Sequence, residues 1–210
     1  MTTTKLSIAN GALRILEERS LTQSELTNGS REPARVFNSV WADGGLDACL
    51  ESGLWKFAKR TVQLDGTSSL AGEFGLSYVF SKPDDFVRTI GIWSDQMLRN
   101  PMGEGCREEG GYWFASQETI YLSYVSNDAA FGLDYSLWPQ SFVKFVQAHF
   151  ASEIAGPLTS KGPEAAKVRK AALREALATD AMADPTRTIP AGSWVRARLT
   201  GGIRRDGQPR

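Results

Sequence analysis

The chain has 210 residues and a mass of 23.0 kDa, a size that favours one compact domain, or one domain with a tail, over a multidomain assembly. Its 41% hydrophobic, 10% aromatic and 23% charged residues are typical of an ordinary folded protein and exclude a disordered or fibrous chain. The 24 basic residues equal the 24 acidic ones, which argues against a protein that is basic throughout and coats nucleic acid.

The start of the chain and its two cysteines indicate the compartment. Residues 1 to 20 lack the unbroken apolar stretch and the cleavage site of a secretory signal, so we expect a mature start. No segment has the roughly 18 consecutive apolar residues that span a bilayer, so we expect a soluble protein without a membrane partner. Cys49 and Cys106 are far apart and fit no metal-binding spacing. We expect two free, buried or half-buried thiols and synthesis in a reducing cytoplasm.

Apolar residues at helical spacing predict a first helix at about residues 4 to 17, with a threonine available as its cap. A polar, turn-like stretch follows at residues 21 to 29. A second helix is predicted at about residues 31 to 53, although Gly44 and Gly45 lie in its middle. Two adjacent glycines cost roughly 2 kcal/mol relative to alanine in a helix interior. We expect one long helix with a weak point at this pair.

The period changes in a strand-rich insert at about residues 56 to 127. Short runs rich in β-branched and aromatic residues predict four or five strands of one antiparallel sheet. Pro83, Asp84 and Asp85 predict a turn between two strands, and residues 100 to 111 a flexible loop between two others. A hairpin through Ser116 and Gln117 is expected to pair the last two strands.

Helical spacing returns after the insert and predicts helices at about residues 138 to 156 and 163 to 182, the second of them rich in alanine. Residues 185 to 210 show no sustained period and are expected to form an extended tail. The predicted fold is therefore α+β: a mostly α-helical bundle of about four helices, with a small antiparallel β-sheet inserted in the middle of a body at residues 1 to 184, and an extended C-terminal tail.

The sequence has no recognisable catalytic set. His149 is the single histidine, and its position on an apolar helix face is more typical of a core or interface residue than of a catalytic base. No nucleophile elbow, phosphate-binding loop or metal-binding motif is present. We expect no enzymatic activity, no cofactor and no metal. An enzyme that uses His149 with Glu153, one helical turn away, is the weakest alternative.

Two pairs of acids lie in predicted turns or loops, Asp84 with Asp85 and Glu108 with Glu109. Neighbouring residues on a loop seldom converge on one reacting atom, so these pairs are interpreted as solvated turn acids rather than a catalytic carboxylate pair.

The zero net charge hides an asymmetry between the body and the tail. Residues 185 to 210 contain six arginines and one acid, a net charge of +5, which leaves 18 basic and 23 acidic residues and a net charge of −5 in residues 1 to 184. Arginine forms bidentate contacts with carboxylates better than lysine does. Trp194 lies among the arginines, as aromatic anchors do at binding hot spots. A solvated tail and a nucleic-acid-binding arm remain alternatives.

The order of elements resembles that of a known family. The similarity covers residues 5 to 185, and its most specific pieces are WKFAKR at residues 55 to 60, PDDFVR at residues 83 to 88 and ASEIAGPLT at residues 151 to 159. In these pieces the chain resembles the head-to-tail adaptors of short-tailed bacteriophages, also called tail tubular protein A. All three are packing or turn motifs.

The resemblance implies a structural protein of the virion neck, made in the host cytoplasm. Such adaptors form a twelve-fold homo-oligomeric ring below the portal protein. The ring extends the channel through which genomic DNA passes without sequence-specific binding, and the tail nozzle protein docks on it. The family's C-terminal segment reaches the portal and its strand-rich part faces the tail. We therefore expect a portal-binding tail and a set of tail-facing loop residues, respectively Trp194, Arg196, Arg198, Arg204 and Arg205, and Asp84, Asp85, Arg99, Glu108 and Glu109.

The charge of the body suits this assignment, because acidic channel walls repel phosphate and keep DNA from sticking. Two alternatives remain besides the enzyme. One is a head-completion or neck protein of another phage architecture, and the other is a nucleic-acid-binding module that uses the arginine-rich tail.

Overall fold

The computed structural model describes residues 3 to 68, 75 to 103 and 105 to 183. The chain divides into two compact units, Met1–Asp180 and Ala181–Arg210, and residues 181 to 183 of the second unit are described. The predicted extended tail at residues 185 to 210 lies outside the described residues. Within the described part, no helix is both long and apolar enough to cross a membrane.

The fold is α+β, as predicted. The described helices are α1 (Lys5–Ile15), α2 (Gln23–Asn28), α3 (Glu32–Ala42), α4 (Gly45–Glu51), α5 (Gln140–Leu158) and α6 (Gly162–Met182). The strands between α4 and α5 are β1 (Lys59–Asp65), β2 (Tyr78–Ser81), β3 (Phe86–Trp93), β4 (Cys106–Glu109), β5 (Tyr112–Ala115) and β6 (Thr119–Ser126).

The N-terminal helices begin at threonine caps. Thr4 and Ser7 form a reciprocal capping box at the start of α1, in which each side chain accepts a hydrogen bond from the other residue's backbone N–H. Thr22 and Glu25 form the same arrangement at the start of α2. The stretch at residues 21 to 29 was expected to be a turn and instead contains a short helix, because this capping box stabilises its first turn.

The expectation of one helix at residues 31 to 53 is wrong. The chain leaves α3 after Ala42, and Gly44 adopts a left-handed conformation with a φ of 85° before α4 begins at Gly45. A Cβ atom at Gly45 would lie 2.8 Å from the backbone oxygen of Val40. The two glycines therefore break the helix and allow the close approach of α4 to the end of α3.

The strands form two sheets rather than the one predicted. Their orders are β1-β6-β3 and β2-β5-β4, and every pairing is antiparallel. The expected hairpin between β5 and β6 is also wrong, because these two strands belong to different sheets. Their buried side chains share one small core, with Trp113 and Ala115 on β5 against Ile120, Leu122 and Tyr124 on β6.

The expected loop at residues 100 to 111 contains β4, which places Glu108 and Glu109 on a strand. Gly110 and Gly111 connect β4 to β5 and have φ values of 58° and 87°, both in the left-handed region. Two-residue hairpins with this geometry favour glycine, because their twist matches that of the flanking strands.

A larger core lies among the helices. α5 contributes most to it and packs against α1, α3 and α4, with Phe142, Phe150 and Ile154 almost fully buried. Trp55 is 1% exposed, and its ring makes an edge contact with Phe142 at 4.8 Å between centroids. The helical core and the strand core together position the surfaces described next.

Candidate functional site

The turn at Pro83, Asp84 and Asp85 holds the centre of a polar network. The backbone N–H of Phe86 donates to the oxygen of Pro83 at 3.0 Å and closes the turn between β2 and β3. Asp85 then points its carboxylate back towards the first sheet, where it accepts three hydrogen bonds. The donors are Arg60 Nη1 at 2.8 Å, the Tyr124 hydroxyl at 2.9 Å and the Ser126 hydroxyl. The turn is therefore tied to β1 and to β6.

The network also determines how Asp85 and Tyr124 titrate. Partial burial raises the pKa of Asp85, but the hydrogen bonds from Ser126, Arg60 and Tyr124 together outweigh burial, and the net shift is downward. Burial, and then the hydrogen bond to Asp85, raise the pKa of Tyr124. At neutral pH Asp85 is a carboxylate and Tyr124 a neutral donor, which is the combination that this geometry requires.

Two of the three motifs that carry the resemblance meet at this network. Arg60 ends the WKFAKR motif and Asp85 belongs to PDDFVR, and their side chains form an ion pair at 2.8 Å. Arg88, the last residue of PDDFVR, donates to the backbone oxygen of Glu51 at the end of α4, at 2.9 Å. The PDDFVR motif therefore connects the strand-rich insert to the helical part of the body.

The WKFAKR motif makes two more connections. The indole N–H of Trp55 donates to the backbone oxygen of Cys49 at 3.1 Å. The backbone N–H of Lys56 donates to a carboxylate oxygen of Asp180 at 3.1 Å, and the Lys56 ammonium contacts the Asp180 backbone oxygen. This segment therefore joins α4 to the far end of α6.

The expected tail-facing residues differ in exposure and in how many partners they have within the chain. Asp84 is exposed, whereas the Asp85 carboxylate is occupied by internal donors. Glu108 pairs with Lys82, which places the β2–β3 turn beside β4, and Glu109 pairs with Arg107 at 3.2 Å. Arg99 is exposed in a separate loop, where its backbone N–H donates to Asp95 at 3.0 Å.

The expected portal-binding residues are not among those described. Trp194, Arg196, Arg198, Arg204 and Arg205 all lie beyond residue 183.

The single histidine lies between two surface cavities of the helical part. One cavity, of about 480 Å³, lies between α4, α5 and α6, and the other, of about 350 Å³, lies against the α3–α4 junction. His149 is half-buried, and burial lowers its pKa. Glu153, the acid that an enzymatic hypothesis pairs with it, instead accepts a hydrogen bond from Arg169 at 3.0 Å. His149 makes no hydrogen bond with Glu153, so the structure does not form the dyad.

Other residue types that support catalysis or metal binding are dispersed over the part of the chain that the structure describes, where no three His, Cys, Asp or Glu residues are grouped as metal ligands would be. Cys49 is buried, Cys106 is half-buried, and both are free thiols, as predicted. Burial raises the pKa of both thiols, that of Cys106 to about 11.

Sequence reasoning missed the partners of Asp85 and the larger cavity beside His149. Two polar residues at the end of the apolar strand β6, Tyr124 and Ser126, were a signal that a polar group packs there. The chain matches no protein-family model and no curated protein sequence.

Proposed function

We propose that this protein is a structural head-to-tail connector of a phage virion, which forms a ring between the portal and the tail nozzle, extends the DNA channel and supports tail attachment. The observation that carries the proposal is the ion pair between Arg60 and Asp85 at 2.8 Å. Arg60 and Asp85 lie 25 residues apart in sequence and belong to two of the three motifs that carry the resemblance, and this pair joins the two motifs in one internal network. When the charged residues of a motif bind other parts of the same chain, the motif stabilises the fold and does not contact a substrate, as expected of a structural protein.

The remaining connections support the same role. Arg88 fixes the insert to α4, and Lys56 fixes the segment after α4 to α6. A ring component that transmits load between a head and a tail needs its subdomains held in fixed positions relative to one another. Hydrogen bonds and ion pairs between elements that are distant in sequence hold these positions in addition to apolar packing, which is less directional.

The surface of α6 supports assembly. Ala165 and Ala176 are buried, whereas Val168 and Leu177 are 42% and 38% exposed. In a closed ring each subunit contributes two different complementary patches, and an exposed helix face with apolar side chains is suited to be one of them. The net charge of −5 over residues 1 to 184 suits a body that surrounds a DNA path without gripping it.

The test is to mix the purified full-length protein with the portal protein encoded by the same genome and to image the particles by electron microscopy. We expect an added ring of twelve copies at the narrow end of the portal. Portal particles that remain bare at micromolar adaptor concentration, or a ring at another position, would contradict the proposal.

A second measurement assigns the tail. A chain that ends at residue 185 is expected to lose portal binding, and so is a full-length variant with Trp194 and the four arginines at 196, 198, 204 and 205 replaced by alanine. The control replaces two exposed arginines outside α6, Arg14 and Arg35, and is expected to bind normally. Undiminished portal binding by the shortened chain would refute the tail assignment. DNA binding that weakens steeply with salt would favour the nucleic-acid alternative.

A further inference from the structure

The larger cavity beside His149 has an apolar floor and a cationic rim. Its volume is about 480 Å³, within the usual range for sites that bind small molecules. Phe145 from α5 and Leu173 from α6 supply apolar surface, and Arg169 and Lys170 from α6 line the same space. These residues belong to neither the Asp85 network nor the expected tail-facing loops.

The charges around this cavity do not cancel. Arg169 is paired with Glu153 at 3.0 Å, whereas Lys170 makes no ion pair with any residue that the structure describes. Arg169 and Lys170 are the charged residues that line the cavity, and no acid lies between residues 167 and 174. A cationic group beside an apolar floor favours a ligand that has a negative charge at one end and an apolar body at the other.

We propose that this cavity binds a small organic monocarboxylate, with Lys170 on the carboxylate and with Phe145 and Leu173 against an aromatic or short aliphatic group. This proposal concerns the unassembled protein and goes beyond the connector function proposed above. Ala166, an exposed and small residue of α6, keeps the cavity open where a larger side chain would fill it. His149 also lines the cavity, so the environment of its imidazole changes when a ligand binds there.

The chain's single histidine gives a direct experiment, because its two imidazole C–H signals are resolved without overlap from other histidines and His149 lines this cavity. The probe is 4-phenylbutyrate, titrated into the full-length protein while the His149 signals are followed by NMR. We expect a saturable shift with the carboxylate and severalfold weaker binding of the neutral analogue 4-phenylbutanamide, which keeps the apolar contacts and lacks the charge. Raising the salt concentration should weaken binding, because the contact with an exposed ammonium is screened.

Two variants and one control make the test specific. Lys170→Gln should weaken binding by about fivefold, the size expected of one solvent-screened charge pair. Lys167→Gln, an exposed cation one turn earlier that does not line the cavity, should bind as the unchanged protein does. Ala166→Leu should abolish the shift by filling the space, with folding verified by circular dichroism.

The proposal is overturned if the His149 signals do not move with 4-phenylbutyrate, or if they move equally with the amide. It is also overturned if Lys170→Gln and Lys167→Gln bind the probe with the same affinity, or if Ala166→Leu folds and still gives the full shift.

Discussion

Replacement of Asp85 by asparagine tests whether the polar network stabilises the fold. The Asp85 side chain is 15% exposed and accepts hydrogen bonds from Arg60, Tyr124 and Ser126. Asparagine keeps one acceptor oxygen but presents an NH₂ group in place of the other, and it removes the charge. One of the two hydroxyl donors, that of Tyr124 or that of Ser126, then faces an N–H group where it had an acceptor.

The loss is estimated from the sheltered hydroxyl contacts alone, because the Arg60 side chain is 36% exposed and its pair with Asp85 is screened by water. Hydrogen bonds to a charged group contribute about 1.5 to 3 kcal/mol, so we expect the free energy of unfolding to fall by about 2 kcal/mol. For a chain of this size, that loss corresponds to a decrease in Tm of about 4 to 8 °C.

The assay is urea unfolding at pH 7, followed by far-UV circular dichroism, with Asp84→Asn as the matched control. Asp84 is the preceding residue, is exposed and has no hydrogen-bond or ion-pair partner in the described part of the chain, so its replacement should change stability by less than about 0.5 kcal/mol. If the two variants unfold at the same urea concentration, the network does not contribute the stability assigned to it.

The same pair of proteins gives a pH dependence with a defined sign. The folded-state pKa of Asp85 lies below its ordinary value, so ionised Asp85 contributes stability that is fully present above the unfolded-state pKa of about 3.9. This contribution is lost as the pH falls through the folded-state pKa. The stability difference between the unchanged protein and Asp85→Asn should be constant from pH 5 to pH 8 and shrink below pH 4. A difference that grows on acidification would refute the reasoning.

Two further predictions concern packing and thiol reactivity. Gly132→Ala would place a Cβ atom 2.0 Å from the backbone oxygen of Ser126, so the backbone must shift, and we expect a loss of at least about 2 kcal/mol in urea unfolding. Gly105→Ala, whose nearest contact would be Met102 Cε at 3.7 Å, should be close to neutral, and equal effects of the two changes would contradict the clash. Burial raises the pKa of both thiols, so Cys49 and Cys106 should react slowly with a disulfide reagent at pH 7.5 in the native protein and rapidly in urea. Rapid native labelling of Cys49 would show that the helical core is not packed as described.

The sequence pattern predicted the secondary structure correctly where residues close together in sequence determine it. The helical spacing that predicted helices at residues 4 to 17, 138 to 156 and 163 to 182 corresponds to α1, α5 and α6 within a few residues at each end. A Thr-x-x-Glu capping signal at Thr22 and a Gly-Gly turn at residues 110 and 111 were also present in the sequence. The expectations of a turn at residues 21 to 29 and of a loop at residues 100 to 111 miss these signals, although each follows from a local physical rule.

Packing between distant parts of the chain decided the arrangement of the sheets and the partners of Asp85. The β-branched and aromatic residues of β5 and β6 predict strands, but not which strand lies beside each, so the division into two sheets could not be predicted. The partners of Asp85 lie 25, 39 and 41 residues away in sequence, and no local pattern identifies them.

The sequence by itself determined the α+β class, the positions of most elements and the contrast between an acidic body and a basic C-terminal segment, because these depend on composition and on period. The tertiary structure alone decided that Asp85 faces inward while Asp84 faces water, and that Lys170 borders a cavity. Each of these depends on which surfaces meet after the chain has folded, and burial between elements distant in sequence outweighs the local preference of any one of them.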